Sequence, residues 1–164
     1  MTTVAWDGKV MASDSCWSLD DAVDSLMNKI SRLSSGALLG QAGDNDARAI
    51  VRMLDKIKTP AGLPLRDDLL KIRLDYMGLL VFPKGRVFKV SLTHHSEAHW
   101  GPDFKEDIGI WEISTPFTAI GSGKEFAIGA MAAGKSAPDA VRIACRYDIN
   151  SRPPVHTVKL ERTP

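Results

Sequence analysis

Three turn segments, Asp7-Gly8, Ser35-Gly36 and Pro83-Lys84-Gly85, each separate two short runs that carry apolar residues, and this punctuation commits the chain to antiparallel hairpins. Thr2 to Trp6 and Lys9 to Ser13 flank the first, an Asp-Gly pair that tolerates the positive φ angles of a type I′ turn. A polar stretch, Ser15 to Ser25, connects it to Met27 through Leu33, which alternates as a strand does and is returned by Ser35-Gly36 into Ala37 to Gln41. The third hairpin pairs Leu79 to Phe82 with Arg86 to Leu92.

Helical signals fall between these strands. Ala47, Ile50, Val51, Leu54 and Ile57 recur at helical spacing, with Asp44, Asn45 or Asp46 available as N-cap and Pro60 as the stop. Pro64 to Tyr76, with Leu69, Leu70 and Leu74, predicts a second, shorter helix, and Thr93 to Asp107 predicts a loop. Strands are expected around Ile108 to Ile113 and Phe117 to Ile120. Lys124 to Ala133 then reads as a helix closed by Gly134, Ser136 opens another that runs to about Tyr147, and Val155 to Leu160 forms a last strand. Strands, helices, strands, helices and a strand, linked mostly by hairpins, predict an α+β fold of antiparallel sheets covered by helix pairs.

Length and charge narrow the function classes. The 164 residues are 44% hydrophobic and 25% charged, which suits one domain over 1–164 and leaves no room for both a hydrolase and an ATP-driven motor. Twenty-one basic against 20 acidic residues leave a net charge of +1, without the electrostatic term that nonspecific nucleic-acid or anionic-membrane binding needs. No apolar run reaches the roughly 20 residues of a membrane span, and MTTVAWDGK lacks a signal-peptide pattern, so a cytoplasmic protein is expected. Cys16 and Cys145 lack the spacing of a zinc site and are expected as free thiols.

Two motifs carry less than their letters promise. Gly129 to Ser136 satisfies the phosphate-loop pattern G-x-x-x-x-G-K-S, which alone would make this a nucleotide-binding protein. Such a loop joins a buried strand to a helix early in a parallel sheet, and only 28 residues follow Ser136, too few for the rest of that architecture. His94, His95, Glu97 and His99 cluster before Trp100, with His95 and His99 at i, i+4, but without the H-E-x-x-H order or helical periodicity a metal site would use.

The start of the chain is the informative place. Once Met1 is removed, Thr2 carries a hydroxyl nucleophile and an α-amine of reference pKa about 7.7 to 8.0, so one residue supplies nucleophile and general base. Such a site needs a lysine to favour the deprotonated forms, an aspartate to hold the lysine, and a backbone N–H for the oxyanion. Asp14 ends the strand that returns beside Thr2, Lys29 starts the next hairpin, and Gly43 precedes a helix N-terminus.

With these residues the sequence resembles the proteasome β-type, HslV-like family of N-terminal-threonine (Ntn) hydrolases. Thr2-Thr3-Val4 followed by Gly8 to Asp14 is similar to that family's threonine start, hairpin and aspartate; Lys29 to Leu33 to its lysine strand; Leu38 to Gly43 to its oxyanion loop, at the family's 14-residue interval from the lysine. Ala119-Ile120-Gly121-Ser122-Gly123 resembles its G-S-G turn, Asp148-x-x-Ser151 its supporting aspartate and serine, and His156-Thr157-Val158 the HslV-type closing strand.

The resemblance implies a four-layer αββα sandwich and a threonine-type endopeptidase that degrades unfolded polypeptides. Thr2 would be nucleophile and base, Lys29 its tuning cation, Asp14 the residue orienting Lys29, and Gly43 N–H the oxyanion donor. Ser122, Asp148 and Ser151 would order the amine or a bound water. It further implies stacked homo-oligomeric rings, protein or peptide substrates and an AAA+ unfoldase partner. No cofactor would be required, although the backbone carbonyls of Cys145, Asp148 and Ser151 would in some members hold a monovalent or divalent cation. Met27, Ser31, Gln41, Asn45 and Ala49 would line the specificity pocket, a mixed set with no clear preference. A non-proteolytic or inactive member, acting as a scaffold or a small-amide hydrolase, is the alternative within the same fold. The first hairpin and the segment from Pro64 to Tyr76 are shorter than the family's.

Overall fold

The computed structural model describes residues 2–19, 22–43, 47–72, 74–93 and 107–161, and every count below refers to these. Strands β1 (Thr3–Trp6), β2 (Val10–Ser13), β10 (Thr118–Gly121) and β11 (His156–Lys159) form one antiparallel sheet in the order β10-β1-β2-β11. A second sheet has the order of the sequence: β5 (Ile30–Arg32), β6 (Leu38–Gly43), β7 (Tyr76–Val81), β8 (Val87–Thr93) and β9 (Asp107–Ile113), each antiparallel to the next. The three expected hairpins are all present, with Asp7-Gly8, Ser35-Gly36 and Pro83 to Gly85 between their strands.

Strand alternation distributes the apolar residues over three interiors. Val4, Trp6 and Met11 point from the four-stranded sheet toward Leu38, Leu79, Val81 and Val87 of the five-stranded one, and this shared layer joins the two sheets face to face. The opposite parity of the second sheet, Leu39, Leu80, Phe88, Val90 and Leu92, packs on Ile50 and Leu54 of α1 (Arg48–Asp55) and on Leu69 of α2 (Arg66–Leu69). On the far side, Ala5, Ala12 and Ala119 receive Ala127 and Met131 of α3 (Lys124–Ala132) and Ala137, Ala140 and Val141 of α4 (Ala137–Tyr147). Small residues on both partners let these helices lie close on the sheet. The result is the four-layer αββα sandwich.

Three local expectations are corrected. The segment from Ser15 to Ser25 is not merely a polar connection: β3 (Cys16–Leu19) and β4 (Ala22–Leu26) pair as a hairpin, Cys16 opposite Leu26 and Leu19 opposite Ala22. Its backbone hydrogen bonds leave no trace in an apolar pattern. The strand expected from Met27 shrinks to Ile30–Arg32, because Met27 N–H is already committed to the Ser15 carbonyl at 3.0 Å. The helix expected over 64–76 is a single turn, Arg66–Leu69, anchored by one fully buried side chain, Leu69. The proposed caps Asp44 to Asp46 and the loop of His94, His95, Glu97 and His99 lie outside the described residues.

Candidate active site

Thr2, just before β1, and Thr3, its first residue, turn their side chains to opposite faces, and that parity builds two half-sites around one peptide unit. Thr2 turns toward the space between the sheets, where Lys29, at the entry to β5, donates from Nζ to Thr2 Oγ1 at 2.8 Å and to Asp14 Oδ1 at 2.9 Å. All three are buried, Asp14 completely and the other two at 4% exposure. Asp14 follows β2 directly and also accepts backbone N–H bonds from Thr3 (2.8 Å), Cys16 (2.8 Å) and Arg152 (3.2 Å). Four donors fill the lone-pair sites of a carboxylate, and this is the condition under which a buried ion pair is tolerated. Because the ammonium donates to Oγ1, the hydroxyl proton of Thr2 stays available to a base.

The second half-site lies on the helix side. Ser122, in the turn between β10 and α3, donates to Asp148 Oδ2 at 2.7 Å and stands 3.3 Å from the Thr2 carbonyl oxygen. Ser151 donates to the same Oδ2 at 2.6 Å. Asp148 is set in place by the end of α4, its N–H bonded to Ala144 O at 2.8 Å. Two glycines admit this approach: a Cβ on Gly121, at φ 93°, would overlap Thr2 O, and one on Gly123 would overlap Thr3 Oγ1 and meet Asp148 Oδ2 at 3.0 Å.

Gly43 ends β6 opposite Tyr76 with φ 115°, and a Cβ there would run into Asp75 O and lie 2.9 Å from Tyr76 Cα. It stands two residues along the strand from Gln41, whose N–H bonds to Lys29 O at 3.0 Å. Five of the other six expected residues are thus linked to Thr2 by hydrogen bonds, directly or through one another, and Gly43 is tied to them through the backbone that seats Lys29. Of the expected pocket residues, Met27, Ser31, Gln41 and Ala49 keep solvent-accessible surface, and Asn45 is outside the described residues. Sequence reasoning missed Thr3 as a side-chain participant, and Cys16 and Arg152 as amide donors. The paired threonines carried a signal for the first, since neighbouring strand residues face opposite ways.

Cys145, in the last turn of α4, is half-buried; desolvation, then the charge of Asp14, pushes its thiol up to about 11. Of the three carbonyls that the resemblance would assign to a cation, those of Cys145, Asp148 and Ser151, the Asp148 carbonyl accepts the Ser151 N–H at 3.1 Å. No side-chain cluster able to hold a metal occurs among the described residues.

The nucleotide reading of Gly129 to Ser136 is overturned. Gly129 lies inside α3, Gly134 N–H and Lys135 N–H close that helix on Met131 O and Ala130 O, and Ser136 caps α4 by accepting from Asp139 N–H at 3.4 Å. No loop of free N–H groups between strand and helix is left to cradle a phosphate.

Comparison with known proteins agrees with this architecture. No family model and no curated protein matches the sequence. Solved structures do. BPH of Thiobacillus denitrificans in complex with epoxomicin matches at 21% identity and TM-score 0.65, over 99% of this chain and 100% of that one. A further structure of T. denitrificans BPH matches at 20% identity and TM-score 0.62, over 99% and 98% of the two chains. HslV from Trypanosoma brucei matches at 19% identity and TM-score 0.66, over 98% of each chain. At this identity the likeness is one of fold: the described residues share the αββα sandwich architecture of these proteins. No described helix is long and apolar enough to cross a membrane.

Proposed function

We propose that this chain is a threonine-type endopeptidase whose nucleophile is the Thr2 hydroxyl, acting once Met1 has been removed. The observation that carries the reading is the buried contact of Lys29 Nζ with both Thr2 Oγ1 and Asp14 Oδ1. An ammonium one hydrogen bond from a hydroxyl oxygen stabilises negative charge on that oxygen, and Asp14 keeps the ammonium in place.

The chemistry follows from these groups. With Met1 gone, the Thr2 α-amine takes the Oγ1 proton, directly or through one water, and Oγ1 bonds to the scissile carbonyl carbon while the carbonyl electron pair moves onto oxygen. Gly43 N–H donates to that oxyanion. Its collapse breaks the C–N bond, the leaving amine takes the proton held by the α-ammonium, and an ester on Thr2 remains. Water, deprotonated by the same α-amine, then attacks the ester, releases the acid and restores the hydroxyl. Ser122, Asp148 and Ser151 hold the amine or the water in position. A cation on the carbonyls of Cys145, Asp148 and Ser151 would supply positive charge that fixes the loop carrying two of these side chains.

The fold likeness to HslV and BPH supports unfolded polypeptides as substrates, stacked rings as the assembly and an AAA+ unfoldase as the partner. A peptidase of this size with an open site would attack its surroundings, whereas a ring encloses the threonines. Epoxomicin, found with the T. denitrificans BPH, is the probe. Intact mass is expected to show Met1 removed and one adduct on the native chain, and none on Thr2→Ala. A native chain that keeps Met1 and forms no adduct, or a peptide-hydrolysis rate unchanged in Thr2→Ala, overturns the proposal.

A further inference from the structure

Thr3 is a polar residue at the head of a strand whose next residues, Val4 and Ala5, are buried core residues. It is completely buried, on the helix side of β1, with its Oγ1 2.6 Å from Ser151 Oγ. The direction of that bond follows from a proton inventory. Ser151 has one hydroxyl proton, and at 2.6 Å it is committed to the Asp148 carboxylate, a stronger acceptor than another hydroxyl. The proton between Thr3 and Ser151 therefore belongs to Thr3. A directed chain results, Thr3 O–H to Ser151 O–H to Asp148 Oδ2, and Ser122 O–H ends on the same oxygen.

The backbone of Thr3 belongs to the other half-site. Its N–H donates to Asp14 Oδ1 at 2.8 Å, and its carbonyl accepts from Asp14 N–H at 3.0 Å. Thr3 is thus the residue at which the Lys29–Asp14 pair and the Ser122–Asp148–Ser151 network meet, immediately after the threonine they flank. A strand position with only a packing role would be filled by valine, which has the same shape and needs no acceptor.

We infer that Thr3 is a positioning residue: its hydroxyl clamps the start of β1 into the Asp148 network, and with its amide held by Asp14 this sets the placement of Thr2 Oγ1 against Lys29. The inference rests on the reading of Thr2 as nucleophile. Misplacing a reacting atom by about 1 Å can lower a rate on the order of 100-fold, so loss of one of these restraints should be visible in the chemical step.

The test uses the Met1-processed chain and the rate of epoxomicin adduct formation by intact mass, together with peptide hydrolysis. Thr3→Val is expected to slow adduct formation about tenfold or more and to lower kcat with KM nearly unchanged, and Thr3→Ser, which restores the hydroxyl, to recover most of the rate. In a Ser151→Ala background, Thr3→Val should add little further loss, because both changes break one chain. Thr3→Cys, a similar volume with a weak donor, must also be slow, and it carries the test if Thr3→Val does not fold. Thr3→Val reacting at the native rate, Thr3→Ser as slow as Thr3→Val, or fully additive losses with Ser151→Ala would each overturn the inference and leave Thr2 as nucleophile. A native chain that forms no adduct removes the nucleophile reading itself, and this inference with it.

Discussion

Lys29 Nζ sits 2.8 Å from Thr2 Oγ1 and 2.9 Å from its ion-pair partner, Asp14 Oδ1, so one buried ammonium links a hydroxyl on the residue before β1 to a carboxylate on the residue after β2. The pair is held by geometry that neither hairpin could supply alone: Asp14 comes with the first sheet and Lys29 with the second. Removing one charge leaves the other buried. Lys29→Met is therefore expected to lose about 3–5 kcal/mol in urea unfolding and to abolish the epoxomicin adduct. Adding Asp14→Asn should return part of the stability and none of the adduct. Equal stability of Lys29→Met and the native chain would show that the pair is not buried in solution.

Gly121 is the tightest backbone approach to the site. Alanine there would drive its Cβ into Thr2 O at a φ of 93°, and backbone, unlike the end of a flexible side chain, does not move aside easily. Gly121→Ala should lose about 1–3 kcal/mol and, separately, slow adduct formation on the order of 100-fold in the protein that remains folded. Gly85→Ala is the control. It has φ 83° but open space around the new carbon, so it should lose stability to backbone strain and keep the native labelling rate.

Ser13 is fully buried in β2, and its hydroxyl has no hydrogen-bond partner among the described residues. A buried donor without a partner is destabilising, so Ser13→Ala is expected to gain about 1 kcal/mol, read as a higher urea midpoint at constant m. A clear loss of stability would mean that the hydroxyl is bonded in solution.

Cys145 offers a pH test. Its thiol is raised from 9.0 to about 11, first by burial and then by the Asp14 charge, which lowers the thiolate fraction at pH 8 by about 100-fold relative to an ordinary thiol. Alkylation by iodoacetamide in the native state should be slower by about that factor than in urea, and should climb nearly tenfold per pH unit toward 11. The sign for stability follows: the unfolded chain releases this proton first, so the contribution is complete below 9.0 and is lost as pH rises toward about 11. Native alkylation as fast as in urea at pH 8 would contradict the burial of this side chain.

Much of this protein is written locally in its sequence. Asp7-Gly8, Ser35-Gly36 and Pro83 to Gly85 specify hairpins through turn chemistry, and the apolar spacing of Ile50 and Leu54 and the capping by Ser136 specify helices through side-chain direction and hydrogen bonding near in the chain. The order of Thr2, Asp14, Lys29, Gly43, Ser122, Asp148 and Ser151 was legible as well, because their motifs are short and contiguous. The β3–β4 hairpin was not, since backbone pairing between Cys16–Leu19 and Ala22–Leu26 needs no apolar signature, and neither was the reduction of the second helix to Arg66–Leu69. Only the tertiary structure brought Lys29 to Thr2, 27 residues apart, and Ser151 to Thr3, 148 apart. Contacts across such separations depend on how two sheets stack and which face each strand turns to the other, and that is set by the whole core rather than by any segment. Local sequence set most of the elements and the chemical parts; the stacking of the sheets decided that one threonine meets an ammonium while its neighbour, on the opposite face, closes a chain of hydroxyls onto a carboxylate.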